Sequence, residues 1–155
     1  MDAISYILDM HYTESLREEE GGTYGASSQG NIRRRPKQNA MFLVGFDCKP
    51  ALCDKLRALA IKGFQELAQN GPTDEELNMA KLNLQKNLPE SRQRNAWWRN
   101  NIELYLTYGQ DRDKLYEEAI NNLTKQDITS LMNEILAQGN FIEMVMKPAA
   151  TAETE

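Results

Sequence analysis

Leu16-Arg17-Glu18-Glu19-Glu20-Gly21-Gly22-Thr23-Tyr24-Gly25 is the stretch in which a helical hydrophobic period gives way to an extended one. Upstream of it, Ile4, Ile7, Leu8, Tyr12 and Leu16 recur at three- and four-residue intervals, the repeat that lines one face of a helix. That repeat predicts a helix over 3–20, closed by Gly21-Gly22, where a residue without a Cβ takes the left-handed conformation of a helix end. Downstream, Phe42, Val44, Phe46 and Cys48 alternate with Met41, Leu43 and Gly45, placing the two sets on opposite faces of a strand. Arg33-Arg34-Arg35-Pro36-Lys37 separates this strand from Thr23–Gln29 and reads as the tip of a long antiparallel hairpin.

Beyond the hairpin the pattern returns to helix. Pro50 suits a first helical turn, and Leu52, Leu56, Leu59, Phe64 and Leu67 continue to a stop at Asn70-Gly71-Pro72. Thr73 and Glu76 form a capping-box signature ahead of Leu77, Ala80, Leu84 and Leu88, and Pro89 predicts a kink or break. A further helix runs through Trp97, Trp98 and Ile102 to Tyr108 and Gly109. After Asp111-Arg112-Asp113 a short helix carries Leu115, Ala119 and Leu123. Thr124–Asp127 caps a last one with Ile128, Leu131, Met132 and Ile135, closed by Gly139. Phe141–Met146 reads as a buried strand ending at Lys147-Pro148, and residues 149–155 as a disordered tail. The order predicts an α+β fold with helices packed on one face of an antiparallel sheet. About three strands make a thin sheet for so many helices, so residues 1–148 read as an incomplete domain. Met1-Asp2-Ala3, running straight into a helical pattern, reads the same way.

Composition narrows the function. The chain has 155 residues, 41% hydrophobic and 26% charged, which is ordinary for a folded domain. Its net charge of -5 argues against nucleic acid and anionic membranes as partners. No apolar run approaches the roughly 18 residues of a bilayer span, and the N-terminus lacks the pattern of a signal peptide. Cys48 and Cys53 fit neither a C-x-x-C pair nor a multi-bridge framework and read as buried or free thiols.

Residues 16–25 closely resemble the arginine/tyrosine motif in the C-terminal half of pitrilysin/insulinase-family peptidases, Arg17 preceding Tyr24 across a glycine bend. The resemblance continues in Gly71-Pro72-Thr73-Asp74-Glu75-Glu76-Leu77, in Asn95–Gly109, in Leu123-Thr124-Lys125-Gln126-Asp127-Ile128 and in Val145-Met146-Lys147-Pro148. It implies a clamshell of two halves, each of two sheet-and-helix domains, around an extended peptide substrate. The N-terminal catalytic half of the same polypeptide would carry zinc on an inverted H-x-x-E-H helix. With one histidine, His11, this sequence cannot contain that motif. The chain is thus expected to hold no metal or cofactor, zinc belonging to the parent enzyme, and to be inactive alone. By the same resemblance Arg17 and Tyr24 are the substrate-binding, transition-state-stabilising residues, with Gly21, Gly22 and Gly25 admitting close backbone approach. A non-catalytic peptidase-like subunit or polypeptide-binding module is the alternative. The parent reads as bacterial, periplasmic or cytoplasmic, and an unpaired sheet edge predicts self-association.

Other conspicuous residues have plainer readings. Glu18, Glu19 and Glu20 point in different directions on a helix and read as a solvated face. His11 reads as a core or boundary histidine, Arg33–Lys37 as a charged hairpin tip, and Trp97 and Trp98 as one packed and one surface ring.

Overall fold

The computed structural model describes residues 1–147. Helix α1 (Asp2–Tyr12) buries Ala3, Ile4, Ile7, Leu8 and Tyr12, the residues its period marks. A widened π-helical turn over Thr13–Glu19 continues it. Strands β1 (Thr23–Arg33) and β2 (Asn39–Cys48) then form an antiparallel hairpin, whose first strand is longer than the sequence pattern indicates. A single 3₁₀ turn, Pro50–Leu52, leads into α2 (Cys53–Asn70), followed by α3 (Asp74–Arg92), α4 (Asn95–Tyr108), α5 (Arg112–Asn122) and α6 (Lys125–Ala137). The fold class is α+β, with helices against one face of the hairpin.

The core lies where α1 meets β1, α2 and α3, and α6 packs on α2 and adds Ile128 and Met132 to it. The inner hairpin residues Phe42, Val44, Phe46 and Cys48 pack on this core, whereas Met41 and Leu43 are exposed. Ser28 N–H donates to Asp9 Oδ1 at 2.7 Å and fixes β1 along α1. The Tyr12 hydroxyl donates to Ala60 O at 2.9 Å, so its one polar atom is satisfied inside the core. Around the outer helices, Arg92 grips Asp113 at 2.8 and 3.0 Å, and Trp97 Nε1 donates to the same carboxylate at 2.9 Å. Among the described residues no helix is long and apolar enough to cross a membrane.

Two expectations need correction. Of the kink or break expected at Pro89, the break does not occur: α3 runs on to Arg92. The proline sits in the last turn, where the lost N–H removes little of the remaining ladder, and Trp98 Nε1 takes up Arg92 O at 2.7 Å. Phe141–Met146 is neither a strand nor buried; Ile142 is 83% and Met144 88% exposed. Among the described residues the sheet has two strands, paired only with each other, and this segment joins neither edge. It is held instead by an ion pair of Glu143 with Arg57 at 2.8 Å. The predicted tail over 149–155 lies outside the described residues.

Thr73 and Glu76 form the predicted capping box: Thr73 N–H donates to Glu76 Oε2 at 2.7 Å, and Glu76 N–H to Thr73 Oγ1 at 3.1 Å. His11 Nε2 lies 2.5 Å from Glu76 Oε1, tying α1 to the start of α3. Burial works against the charge on Glu76, but hydrogen bonds from His11 and from the backbone and hydroxyl of Thr73 outweigh it and hold the carboxyl below its usual range. A depressed folded value stabilises the protein above the unfolded value of about 4.3 and is lost as pH falls through the folded one. The stability difference between wild type and Glu76→Gln should therefore shrink from about pH 6 to about pH 3 in urea unfolding.

Candidate functional site

The bend between helix and hairpin is built from hydroxyls and glycines. Thr13 Oγ1 donates to Asp9 O at 2.7 Å and Ser15 Oγ to His11 O at 2.8 Å, occupying carbonyls of the preceding turn. Such back-bonding competes with the regular ladder and accompanies its widening over Thr13–Glu19. Leu16 is fully buried and anchors the widened turn, while Arg17, next to it, is exposed. Gly21 N–H closes on Arg17 O at 3.1 Å, with Gly21 at φ 57, a left-handed conformation that a side chain would strain.

Gly22 works differently. A Cβ there would lie 2.7 Å from Leu56 Cδ1 and 3.0 Å from Leu52 Cδ1, so its missing side chain is what lets α2 pack under the bend. On the side where a Cβ would project, Gly22 faces leucine. A Cβ on Gly21 or Gly25 would meet nothing within 4 Å. Lys49 N–H reaches Gly22 O at 3.4 Å, and Lys55 Nζ pairs with Glu20 Oε2 at 2.5 Å, fixing the bend from the α2 side.

Thr23 pairs with Cys48 and Ala26 with Phe46, so Tyr24 and Gly25 together oppose the single residue Asp47. This is a β-bulge, a device that re-aims a side chain at a strand end. Thr23 Oγ1 accepts from Gly25 N–H at 3.1 Å and also lies 2.9 Å from Gly25 O, to which it can donate. Tyr24 projects into solvent, 99% exposed. Arg17 and Tyr24 thus occupy the two arms of one bend, both exposed, with no hydrogen bond or ion pair between them. Two shallow hollows of about 220 and 210 Å³ lie elsewhere, lined partly by Arg34, Gln110 and Tyr116 and by Arg94, Trp97 and Asn100. Neither Arg17 nor Tyr24 lines either of them.

The sequence reading did not single out Thr23, Glu20 with Lys55, or the bulge; a hydroxyl two residues before a glycine was the one local signal. The basic hairpin tip is more than a solvated turn. Arg34 and Arg35 lie 5.0 and 5.2 Å from the Tyr108 ring centroid, and Arg34 Nη1 donates to Gln110 Oε1 at 2.7 Å. Trp97 meets Tyr116 edge-on at 5.3 Å and Trp98 is surface-exposed. Among the described residues no three His, Cys, Asp or Glu side chains converge as a metal cluster would require, and His11 is engaged by Glu76.

The chain belongs to the family described as Peptidase M16 inactive domain, whose model matches residues 1–84. No curated protein matches the chain. Among solved structures it is similar to the periplasmic protease PqqL from Escherichia coli, with 21% identity and a TM-score of 0.68 over 86% of this chain and 15% of that one. It is also similar to a peptidase M16 inactive domain from Pseudomonas fluorescens, at 21% identity and TM-score 0.65, covering 85% of this chain and 33% of that one. A protease from Helicobacter pylori matches at 17% identity and TM-score 0.63, over 86% and 33% of the two chains. The chain spans a third or less of each of these structures.

Replacing Gly22 by alanine should destabilise the protein by about 1–3 kcal/mol, because a methyl is forced onto the buried Leu56. The same change at Gly25, where space is open, should cost less; thermal unfolding of the two variants measures the difference.

Proposed function

We propose that this chain is the substrate-holding, non-metal-binding C-terminal portion of a zinc metalloendopeptidase, with Arg17 and Tyr24 as its donors to an extended polypeptide. The observation that carries the reading is the joint exposure of these two side chains on the arms of one bend, each placed by a local departure from regular structure. Family membership supports the peptidase context. The residues present do not fit zinc, so the metal and its general base would come from the N-terminal catalytic half of the same polypeptide. A bacterial parent accords with the solved relatives, one of which is a periplasmic protease.

The chemistry asked of the pair is limited. When water adds to a peptide carbonyl, its oxygen gains negative charge, and fixed donors aimed at that position favour the transition state over the ground state. The Tyr24 hydroxyl offers one O–H. The Arg17 guanidinium offers a permanent charge and several N–H groups that grip a carbonyl. Gly25, open on its outer side, leaves room for a second backbone alongside.

Alone, the chain should bind no stoichiometric zinc and release no product from peptides. Joined to its metal-bearing half, Tyr24→Phe or Arg17→Ala should lower kcat about 10²–10³-fold with unchanged thermal unfolding, as expected of exposed side chains. Wild-type rates in both variants would remove the assignment and leave a polypeptide-binding module as the better reading.

The hairpin edges and the exposed Met41, Leu43, Ile142 and Met144 also support self-association of the isolated chain. Light scattering should show a mass that rises with concentration, whereas a strictly monomeric mass would count against it.

A further inference from the structure

Arg94 and Arg112, which the proposed function does not use, meet at one hollow. Arg112 opens α5 and Arg94 immediately precedes α4, so both cations stand at helix starts, where the positive end of the dipole disfavours them. Arg112 is half-buried, its guanidinium carbon 4.8 Å from the Trp97 ring centroid and 5.8 Å from that of Tyr116. A guanidinium lying over a ring keeps its N–H groups free to donate. Among the described residues the Arg112 side chain nevertheless makes no hydrogen bond or ion pair, whereas its backbone N–H donates to Asn101 Oδ1 at 2.9 Å. The neighbouring carboxylates are already engaged: Asp113 and Glu117 by Arg92, Asp2 by the Tyr116 hydroxyl at 2.8 Å, and Glu90 by Arg94.

The hollow of about 210 Å³ is lined by Arg94 and Arg112 with Ser91, Asn100, Ala96 and Trp97, and by no acidic side chain. Two guanidinium forks, an amide and a hydroxyl are the donors that a carboxylate accepts from. Arg112 also borders the hollow of about 220 Å³, where Leu104 and Leu115 form an apolar wall and Gln110 and Arg34 a polar one. A free small carboxylate would fill the first hollow and leave the second empty. Two adjoining hollows of unlike lining fit successive side chains of a polypeptide. We infer that the Arg94–Arg112 hollow is a binding site for the carboxylate of an acidic residue on a polypeptide, whose neighbouring apolar residue lies against Leu104 and Leu115. The inference rests on the polypeptide-holding reading but draws on neither Arg17 nor Tyr24.

Isothermal titration of the chain with the blocked peptide acetyl-Gly-Glu-Leu-Gly-amide should show binding about tenfold tighter than with its glutamine counterpart, which lacks the charge-assisted hydrogen bonds. Arg94→Gln and Arg112→Gln should each weaken the glutamate peptide about tenfold and leave the glutamine peptide nearly unchanged. Arg94 is exposed, so its variant keeps the fold, and thermal unfolding checks that of Arg112→Gln. Succinate and inorganic phosphate should bind more weakly than the glutamate peptide. Equal affinity for the two peptides, succinate or phosphate binding as tightly as the glutamate peptide, or undiminished binding by Arg94→Gln would each overturn the inference. The Arg17 and Tyr24 assignment is read from turnover, so either can fail without the other.

Discussion

The contact of Gly22 with Leu52 of the 3₁₀ turn and Leu56 of α2 is the constraint on which the rest of the molecule depends. Helix α1 can enter the hairpin only if the chain reverses direction directly above Leu52 and Leu56, and any side chain at Gly22 would occupy the space their methyl groups fill. Once that approach is made, the start of β1 and the end of β2 are held against the first turns of α2. Gly21, just before, supplies the left-handed backbone that the reversal requires. The glycine pair therefore divides its labour, one residue for conformation and one for proximity.

The hairpin is secured at its far end by different physics. Arg34 and Arg35 spread over the face of Tyr108, so charges that would otherwise leave the tip in solvent fasten it to α4. Between the two ends, the bond from Ser28 to Asp9 and the half-buried face of β2 keep it on the core. A two-stranded ribbon is marginal by itself. Here it persists because apolar burial, the hydrogen bonds of Ser28 to α1 and cation–π attraction act at separate points along its length.

Much of this was legible in the sequence because it is encoded locally. The apolar repeat of α1, the Thr73–Glu76 and Thr124–Asp127 boxes, and the glycines that end helices each write their structure within a few residues. The failures share a cause. Phe141–Met146 has the composition of a strand, but a strand exists only beside another, and sequence pattern carries no information about whether a partner is present. Pro89 was read by residue type when what mattered was its distance from the helix end. Of the candidate site, the identities of Arg17 and Tyr24 were readable from the resemblance. The widened turn and the bulge that display them were not, because both arise from competition among hydrogen bonds that periodicity does not register.

The bulge carries one more implication. Tyr24 has the same even parity as Ala26 and Ser28, which lean toward α1, so uninterrupted alternation would bring the phenol inward with them. The extra residue inverts the phase of the first part of β1 relative to the remainder. Whether this tyrosine meets solvent or protein is consequently decided by a count of residues, not by its own chemistry, and a pairing regularised by a single step would internalise it with no change of amino acid at that position.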